Sequence, residues 1–473
     1  MADPSARFLH SRTFAELNAG DTARTTRRLT RADLLALARI AGDQDPTRVD
    51  ADWARRNGDG RLAAPGAWAG TVFAGLFGTE LPGPGTVCLS QRLRLERPVR
   101  EDDVLIATVV LRDKAIDGRT LTFECRCTNQ NGETVAHGEA TVLAPPAPAT
   151  WPRPDAVASP GSAGDKFEPL LVAAASAEPM PTAVAHPCSE AALRAALDAA
   201  QRRLIRPILV GPAAKLRALA ATLGLDLSPY RIVDVPHSHA AADAAVALVR
   251  AGEAGLLMKG SLHTDELLGA VVARTTGLRT ERRLSHVFLM DVPSYRKLLL
   301  VTDAAINIVP TLEDKRDICQ NAIDLARAIG IARPKVAILS AVETVNPRMP
   351  STTEAAALCK MAERGQIAGG ILDGPLAMDN AISAEAAAVK GIRSEVAGDP
   401  DVLLVPDLEA GNILAKQLTF MAGAEAAGVV IGARVPIVLT SRADSVRARL
   451  ASCAVAVLLA RARGTVPPPG GAD

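Results

Sequence analysis

An α/β chain with a smaller α+β domain in front of it is what this sequence predicts, and three observations carry that expectation. Its 473 residues exceed the size at which one hydrophobic core keeps growing, so more than one domain is expected. A stretch dense in Pro, Ala, Ser and Gly, APPAPATWPRPDAVASPGSAGDKFEP, interrupts the chain without apolar periodicity. Beyond it short apolar runs alternate with helical segments, whereas before it the runs alternate in polarity and are separated by turn dipeptides. The expected division is a first domain over 1–145, a linker over 146–168, a second domain over 169–463 and a loose tail over 464–473.

Composition excludes several function classes. Lys and Arg (53) nearly balance Asp and Glu (52), and a net charge of +1 supplies no field to attract nucleic acid or an anionic membrane. The opening MADPSARFLH lacks the apolar centre of a secretory signal and no apolar run is long enough to span a bilayer, so a cytoplasmic location is expected. The seven cysteines are scattered without C-x-x-C spacing, which argues for reduced thiols and no metal site. In LTFECRC, Leu121, Phe123, Cys125 and Cys127 share one face of a strand, and core packing is the reading for that cysteine pair.

In the first domain a helix is expected from Thr30, which can cap it with Asp33 at the box position, and Gly42 ends it. The small-residue stretch GAWAGTVFAGLFGTEL predicts a second helix able to lie close beneath a curved sheet. The runs VLIATVVL, RTLTFECRC and ETVAHGEATVL predict antiparallel strands, with DG and NG turns before the last two.

In the second domain, PILVG, RIVDV, GLLMKG, HVFLMDV, LLLVTDA, KVAIL, GGILDG, VLLVP, VVIGA and PIVLT read as strands buried on both faces. Most end in a small polar residue and enter a helix, so ligands are expected beyond the carboxyl ends of the strands. At PIVLTSRADS the strand stops at Thr440, Ser441 and Arg442 form the turn, and a helix starts by Asp444 or Ser445. The N–H groups of a helix start favour an anion, to which Arg442 adds a bidentate grip. Asp444 either caps that helix or serves as a base beside the anion. Lys259, Gly260 and Ser261 follow another strand, with Thr264 at the expected cap, and Lys259 either holds phosphate or extends from a strand end. Asp303 and Asn307, Asp373 and Gly374, and Asp407, Gly411, Asn412 and Lys416 stand at further strand ends. Each set alone reads as turn chemistry; together they would surround one cleft. A dehydrogenase is not indicated, because no strand leads into a convincing G-x-G-x-x-G.

From Phe167 to Ala462 the chain closely resembles the phosphate acetyl- and butyryltransferases, through LSHVFLMDVPSY, TDAAINIVP, PKVAILSAVETVNPRMPSTTEAAAL, MAERGQIAGGILDGPLAMDNAIS, SEVAGDPDVLLVPDLEAGNILAKQL and PIVLTSRADS. The resemblance implies an isocitrate-dehydrogenase-like phosphotransacylase fold of two α/β subdomains with a cleft between them. It further implies direct acyl transfer between coenzyme A and inorganic phosphate. Both are substrates, and no permanently bound cofactor or metal is implied. On this reading Arg442 holds the phosphoryl group and Ser441 hydrogen-bonds the thiol, thiolate or carbonyl oxygen. Lys259, Gly260, Ser261, Asn307, Asp373, Gly374, Gly411, Asn412 and Lys416 become the candidate substrate-binding set. The acetyl-type enzymes carry their proposed base where this chain has Ala448, which leaves Asp444 as the nearest substitute. Members of both families that this chain resembles commonly form dimers, so a homo-oligomer is expected.

The segment AGDQDPTRVDADWARR is similar to the signature of MaoC-like, hot-dog-fold enoyl-CoA hydratases, in which an Asp and a His five residues apart flank Asn-Pro. Asp43 and Pro46 match, but Asp45 replaces the Asn and Arg48 the His. Hydration needs groups that take and give a proton near neutrality, and a guanidinium does neither. Pro65-Gly66 also replaces the His-Gly common at the start of the central helix. A weak or inactive hydratase domain is therefore expected. A fully bifunctional enzyme and a non-catalytic acyl-CoA-binding protein are the alternatives.

Overall fold

The computed structural model describes residues 8–152, 166–439 and 444–464. The chain divides into two compact units, Met1–Gly164 and Asp165–Asp473. No helix among the described residues is long and apolar enough to cross a membrane.

The first unit contains strands β1 (Phe8–His10), β2 (Thr22–Arg28), β3 (Val87–Leu95), β4 (Val104–Lys114), β5 (Thr120–Thr128), β6 (Thr134–Leu143) and β7 (Thr150–Pro152). Five of them form an antiparallel sheet in the order β2-β4-β5-β6-β3, and β1 pairs with β7. The helix Trp68–Thr79 supplies Phe73, Leu76 and Phe77 to a core whose other side is Val109, Leu111, Leu121 and Phe123. This is a hot-dog arrangement, with a sheet wrapped on a central helix. Cys125 and Cys127 are buried in it as strand alternation requires, and burial pushes their thiols up to about 12 and about 11. The helix Arg31–Ala41 begins on a Thr30–Asp33 capping box and ends at Gly42 with φ of 65°, as read from the sequence. The Pro-rich segment is not wholly loose: Thr150–Pro152 is the strand β7, and Phe167 is fully buried in the second unit. An aromatic residue among small ones has core to fill, and composition averaged over the segment hides it.

The second unit holds an eleven-stranded sheet in the order β10-β9-β8-β11-β18-β17-β12-β13-β16-β14-β15. These strands are β8 (Met180–Ala185), β9 (Ile205–Gly211), β10 (Arg231–Asp234), β11 (Leu256–Lys259), β12 (Ser285–Asp291), β13 (Leu299–Thr302), β14 (Lys335–Leu339), β15 (Ile371–Leu376), β16 (Val402–Leu404), β17 (Glu425–Ile431) and β18 (Ile437–Val438). Each apolar run named above forms a strand, and β8 joins them although its MPTAVA was not read as one. The sheet is not parallel throughout. β17 pairs antiparallel with both β12 and β18, and β12 antiparallel with β13. Two parallel wings therefore run in opposite directions, and their carboxyl ends lie on opposite edges of the sheet.

The two faces of this sheet are covered differently. On one face a single core runs beneath both wings, from Val184, Leu209 and Met258 through Val287, Leu289 and Val429 to Val336 and Leu404, and the helix Val446–Ala462 fills its middle. On the other face there are two cores. One gathers Ala183, Val210, Leu257, Val430 and Ile437; the other gathers Met290, Leu299, Val301, Ala337 and Leu403. Between them Phe288, Ala426 and Leu439 are only partly buried, leaving a groove floored by β12 and β17.

Candidate active site

The sequence-derived positions fall into two sets. Lys259 ends β11, whose register places it beside Leu439, the residue leading into the Ser441–Arg442 turn. Ser441 and Arg442 themselves lie outside the described residues. A side chain at Gly260 would stand 2.3 Å from the Ala185 carbonyl oxygen, so this loop approaches β8 as only glycine permits. The Ser261 hydroxyl donates to the His186 carbonyl at 2.8 Å and accepts from the Cys188 N–H at 3.2 Å, tying the loops after β8 and β11 together. The helix that follows starts with Thr264 as its first residue and His263 at the cap, so Thr264 is not the cap expected for it.

Asp444 is not the helix cap either. The Ser445 side chain accepts from the Ala448 N–H at 3.1 Å, placing Asp444 one residue ahead of the cap. The adjoining strand β18 is two residues long, shorter than the apolar run suggested. Ser445 wins because its short hydroxyl meets an N–H three residues on, the geometry an N-cap requires.

The remaining set lies at the opposite edge, after the other wing. Asp303 and Asn307 are each 3% exposed, and the Asp303 carboxylate accepts from the N–H groups of Ala305, Ile306 and Asn307 and from Asn307 Nδ2 at 2.6 Å. Asn307 also donates to the Leu284 carbonyl and accepts from Arg283 Nε at 2.8 Å. Gly411 packs so closely that a Cβ there would stand 2.9 Å from the Asp303 carbonyl oxygen, and Asn412 donates to the Ala304 carbonyl at 3.2 Å. Asp407 caps the helix Leu408–Met421 through the Ala410 N–H, and Lys416 is exposed on that helix. Asp373 accepts from the Gly374 N–H, while Gly374 sits against Ile338 of β14. The carboxyl ends thus do not converge on one crevice as the strand runs suggested, because antiparallel β12 and β17 reverse one wing. The two sets instead stand at opposite edges of the sheet, and the groove over β12 and β17 lies between its halves.

Sequence reasoning passed over His286, a polar residue inside the apolar run HVFLMDV, which was the signal. It is 3% exposed, its Nδ1 has no hydrogen-bond partner among the described residues, and its ring packs edge-on to Phe288 at 4.3 Å. Burial lowers its pKa to about 4, against the opposing pull of the Asp303 charge, so the imidazole is neutral near pH 7.

In the first unit Arg48 Nη1 lies 2.5 Å from Asp43 Oδ2, with Nε 3.6 Å from Asp45. The Asp43 carboxyl is held below its ordinary range first by the Asp45 N–H and then by Arg48. A cavity of about 310 Å³ opens at the start of the central helix, lined by Ala64, Pro65, Gly66, Trp68, Leu95 and Val99 among others.

Comparison with known proteins places this geometry. The phosphate acetyl/butyryl transferase family model matches residues 238–457, and a FAS1-like dehydratase domain region matches residues 19–138. A phosphate acetyltransferase of Rhizobium meliloti is 66% identical over 63% of this chain and 94% of its own length. A phosphate butyryltransferase of Clostridium acetobutylicum is 42% identical over 62% of this chain and 98% of its own. Among solved structures, a branched-chain phosphotransacylase from Enterococcus faecalis covers 59% of this chain and 99% of its own, with 31% identity and a TM-score of 0.52. The second unit is thus that of an acyltransferase, an α/β enzyme with a mixed sheet. The chain belongs to the phosphate acetyl/butyryltransferase family, and it carries a dehydratase-like hot-dog unit ahead of the family's own.

Proposed function

We propose that the second unit transfers a short acyl group, acetyl or butyryl, between coenzyme A and inorganic phosphate, with the groove over β12 and β17 as its site. The observation that carries this reading is the two-thirds identity with a phosphate acetyltransferase across nearly all of that relative's length. In this reading phosphate sits at the Ser441–Arg442 turn, where Arg442 neutralises it and Ser441 hydrogen-bonds the sulfur or carbonyl oxygen. Asp444, one residue ahead of the Ser445 cap, is the candidate base beside that anion. Lys259, Gly260 and Ser261 form the adjoining rim, and the loops bearing Asn307, Asp373, Gly374, Gly411, Asn412 and Lys416 form the far edge along which an extended coenzyme lies. Coenzyme A and phosphate are substrates, with no resident cofactor. A cytoplasmic homo-oligomer without nucleic-acid or membrane partners is the setting this reading takes.

The test is direct. Acetyl- or butyryl-CoA mixed with phosphate and the full chain releases free thiol, and Arg442→Ala lowers that rate at least about a hundredfold through loss of transition-state charge stabilisation. Absence of phosphate-dependent release with every short acyl-CoA rejects the reading.

For the first unit, the Asp43–Arg48 ion pair supports acyl-CoA binding without hydration, since the residue in the proton-transfer position stays charged. The cavity beside the central helix has the size for an acyl chain.

A further inference from the structure

The border between the two cores on the groove face crosses the sheet at Gly428. Val430 belongs to one core and Ala426 packs on the other, while the intervening Gly428 offers no side chain to either. Across from it on β12, His286 and Phe288 project to the same face, because Val287 and Leu289 belong to the core on the reverse side. A Cβ at residue 428 would stand 2.8 Å from His286 Nε2 and 3.4 Å from the Leu439 carbonyl oxygen. The imidazole therefore lies in the gap that the glycine leaves in the groove floor, beside the strand that leads to the anion turn.

Among the described residues nothing accounts for this ring's polarity. It is 3% exposed, and Nδ1 has no partner among the described residues. Asp303, the carboxylate that acts on it electrostatically, has its oxygens committed to the N–H groups of its own loop. An apolar residue would fill the same volume without the cost of an unmade hydrogen bond. Nδ1 is enclosed, and Nε2 is the nitrogen that faces the space over Gly428, so a ligand in the groove would complete the ring there.

We propose that the His286 imidazole is the oxyanion donor of the acyl-transfer site, its N–H hydrogen-bonding the acyl carbonyl oxygen of the substrate. This rests on the groove being the transfer site. When phosphate attacks acyl-CoA, a phosphate oxygen forms a bond to the carbonyl carbon and the carbonyl π pair moves onto oxygen. That pair then returns to re-form C=O as the C–S bond breaks, and the thiolate leaves with the bonding electrons. The reverse reaction passes through the same oxyanion, formed by thiolate attack on the acyl phosphate and collapsing with loss of phosphate. The imidazole keeps its proton throughout. A donor of this kind has to stay neutral, since an imidazolium would hold the anionic ground state as firmly as the oxyanion; burial keeps this ring in that form.

Three variants of the full chain test the assignment in the thiol-release assay, with melting temperature as the control on folding. His286→Phe, which keeps ring volume and removes the donor, loses about a hundredfold or more in kcat with KM for phosphate unchanged. His286→Gln restores an N–H donor and recovers at least about a tenth of that loss on the logarithmic scale of transition-state binding. Gly428→Ala, which sets a methyl group 2.8 Å from Nε2 and so pushes the ring out of the gap, behaves like His286→Phe while keeping the histidine itself. A folded His286→Phe with kcat within about threefold of the parent overturns the proposal. So does equal loss in the Phe and Gln variants accompanied by equal falls in melting temperature, the pattern of a packing role. Arg442→Ala separates the layers: if it is inactive while His286→Phe is unimpaired, only the oxyanion assignment falls. If Arg442→Ala keeps full activity and His286→Phe does not, the anion turn falls and the oxyanion assignment stands.

Discussion

Arg48 shows how much one residue can settle. On the resemblance to MaoC-like hydratases it stands at the signature's His position, where hydration of an enoyl thioester needs a group that exchanges protons near neutrality, and it is paired with Asp43, the match to the signature's Asp. No adjustment of pH in the working range frees that pair, because Asp43 is held below its usual range and Arg48 above. The full chain is therefore expected to leave crotonyl-CoA absorbance unchanged over hours, and rapid loss of the enoyl band would contradict the reading. This residue-level conclusion was legible in the sequence, since a guanidinium at that spacing needs no coordinates to be recognised as the wrong chemistry. His286 was not legible in the same way. A histidine in an apolar run signals only that something polar is buried; its missing partner and the gap at Gly428 exist only once β12 and β17 are paired.

At the scale of elements, strand existence was easy to read and strand direction was not. HVFLMDV and VVIGA have the composition of any two-face-buried strand, yet they form the antiparallel centre of the sheet. The information was nevertheless present in the connections. Val292–Leu298 and Gly432–Pro436 are too short for a helical crossover, so β12 to β13 and β17 to β18 have to reverse. The helix start after β18 gives a further test. Ser445 caps the Val446–Ala462 helix and lies 3.4 Å from Glu425, so Ser445→Ala costs about 1 kcal/mol in the stability of the second unit, measured by denaturant titration. Asp444 stands one residue earlier and is not at the cap, so the structure decides between the two positions that the sequence left open.

For the whole molecule, acid sensitivity follows from the groove. His286 has a folded pKa of about 4 against an ordinary value of 6.5, so between those values the unfolded chain binds the proton that the folded chain refuses. Stability contributed by the neutral ring is complete above about pH 6.5 and is lost as pH falls towards 4, at up to about 1.4 kcal/mol per pH unit. Urea midpoints measured from pH 7 to 4.5 decline more steeply for the parent chain than for His286→Phe; identical slopes would remove His286 from the account of acid unfolding.

The layer of side chains shared by both wings also bears on how the second unit comes into being. Its centre is the helix Val446–Ala462, in which Leu450 to Val457 are buried without a break, and which packs on the opening helix Glu168–Ala175 and on β17. Most of the second unit therefore leaves the ribosome before the piece that closes the interior arrives. Until then the sheet exposes one greasy side to the cell, and a nascent chain stalled short of that helix is a client for chaperones rather than a half-finished enzyme.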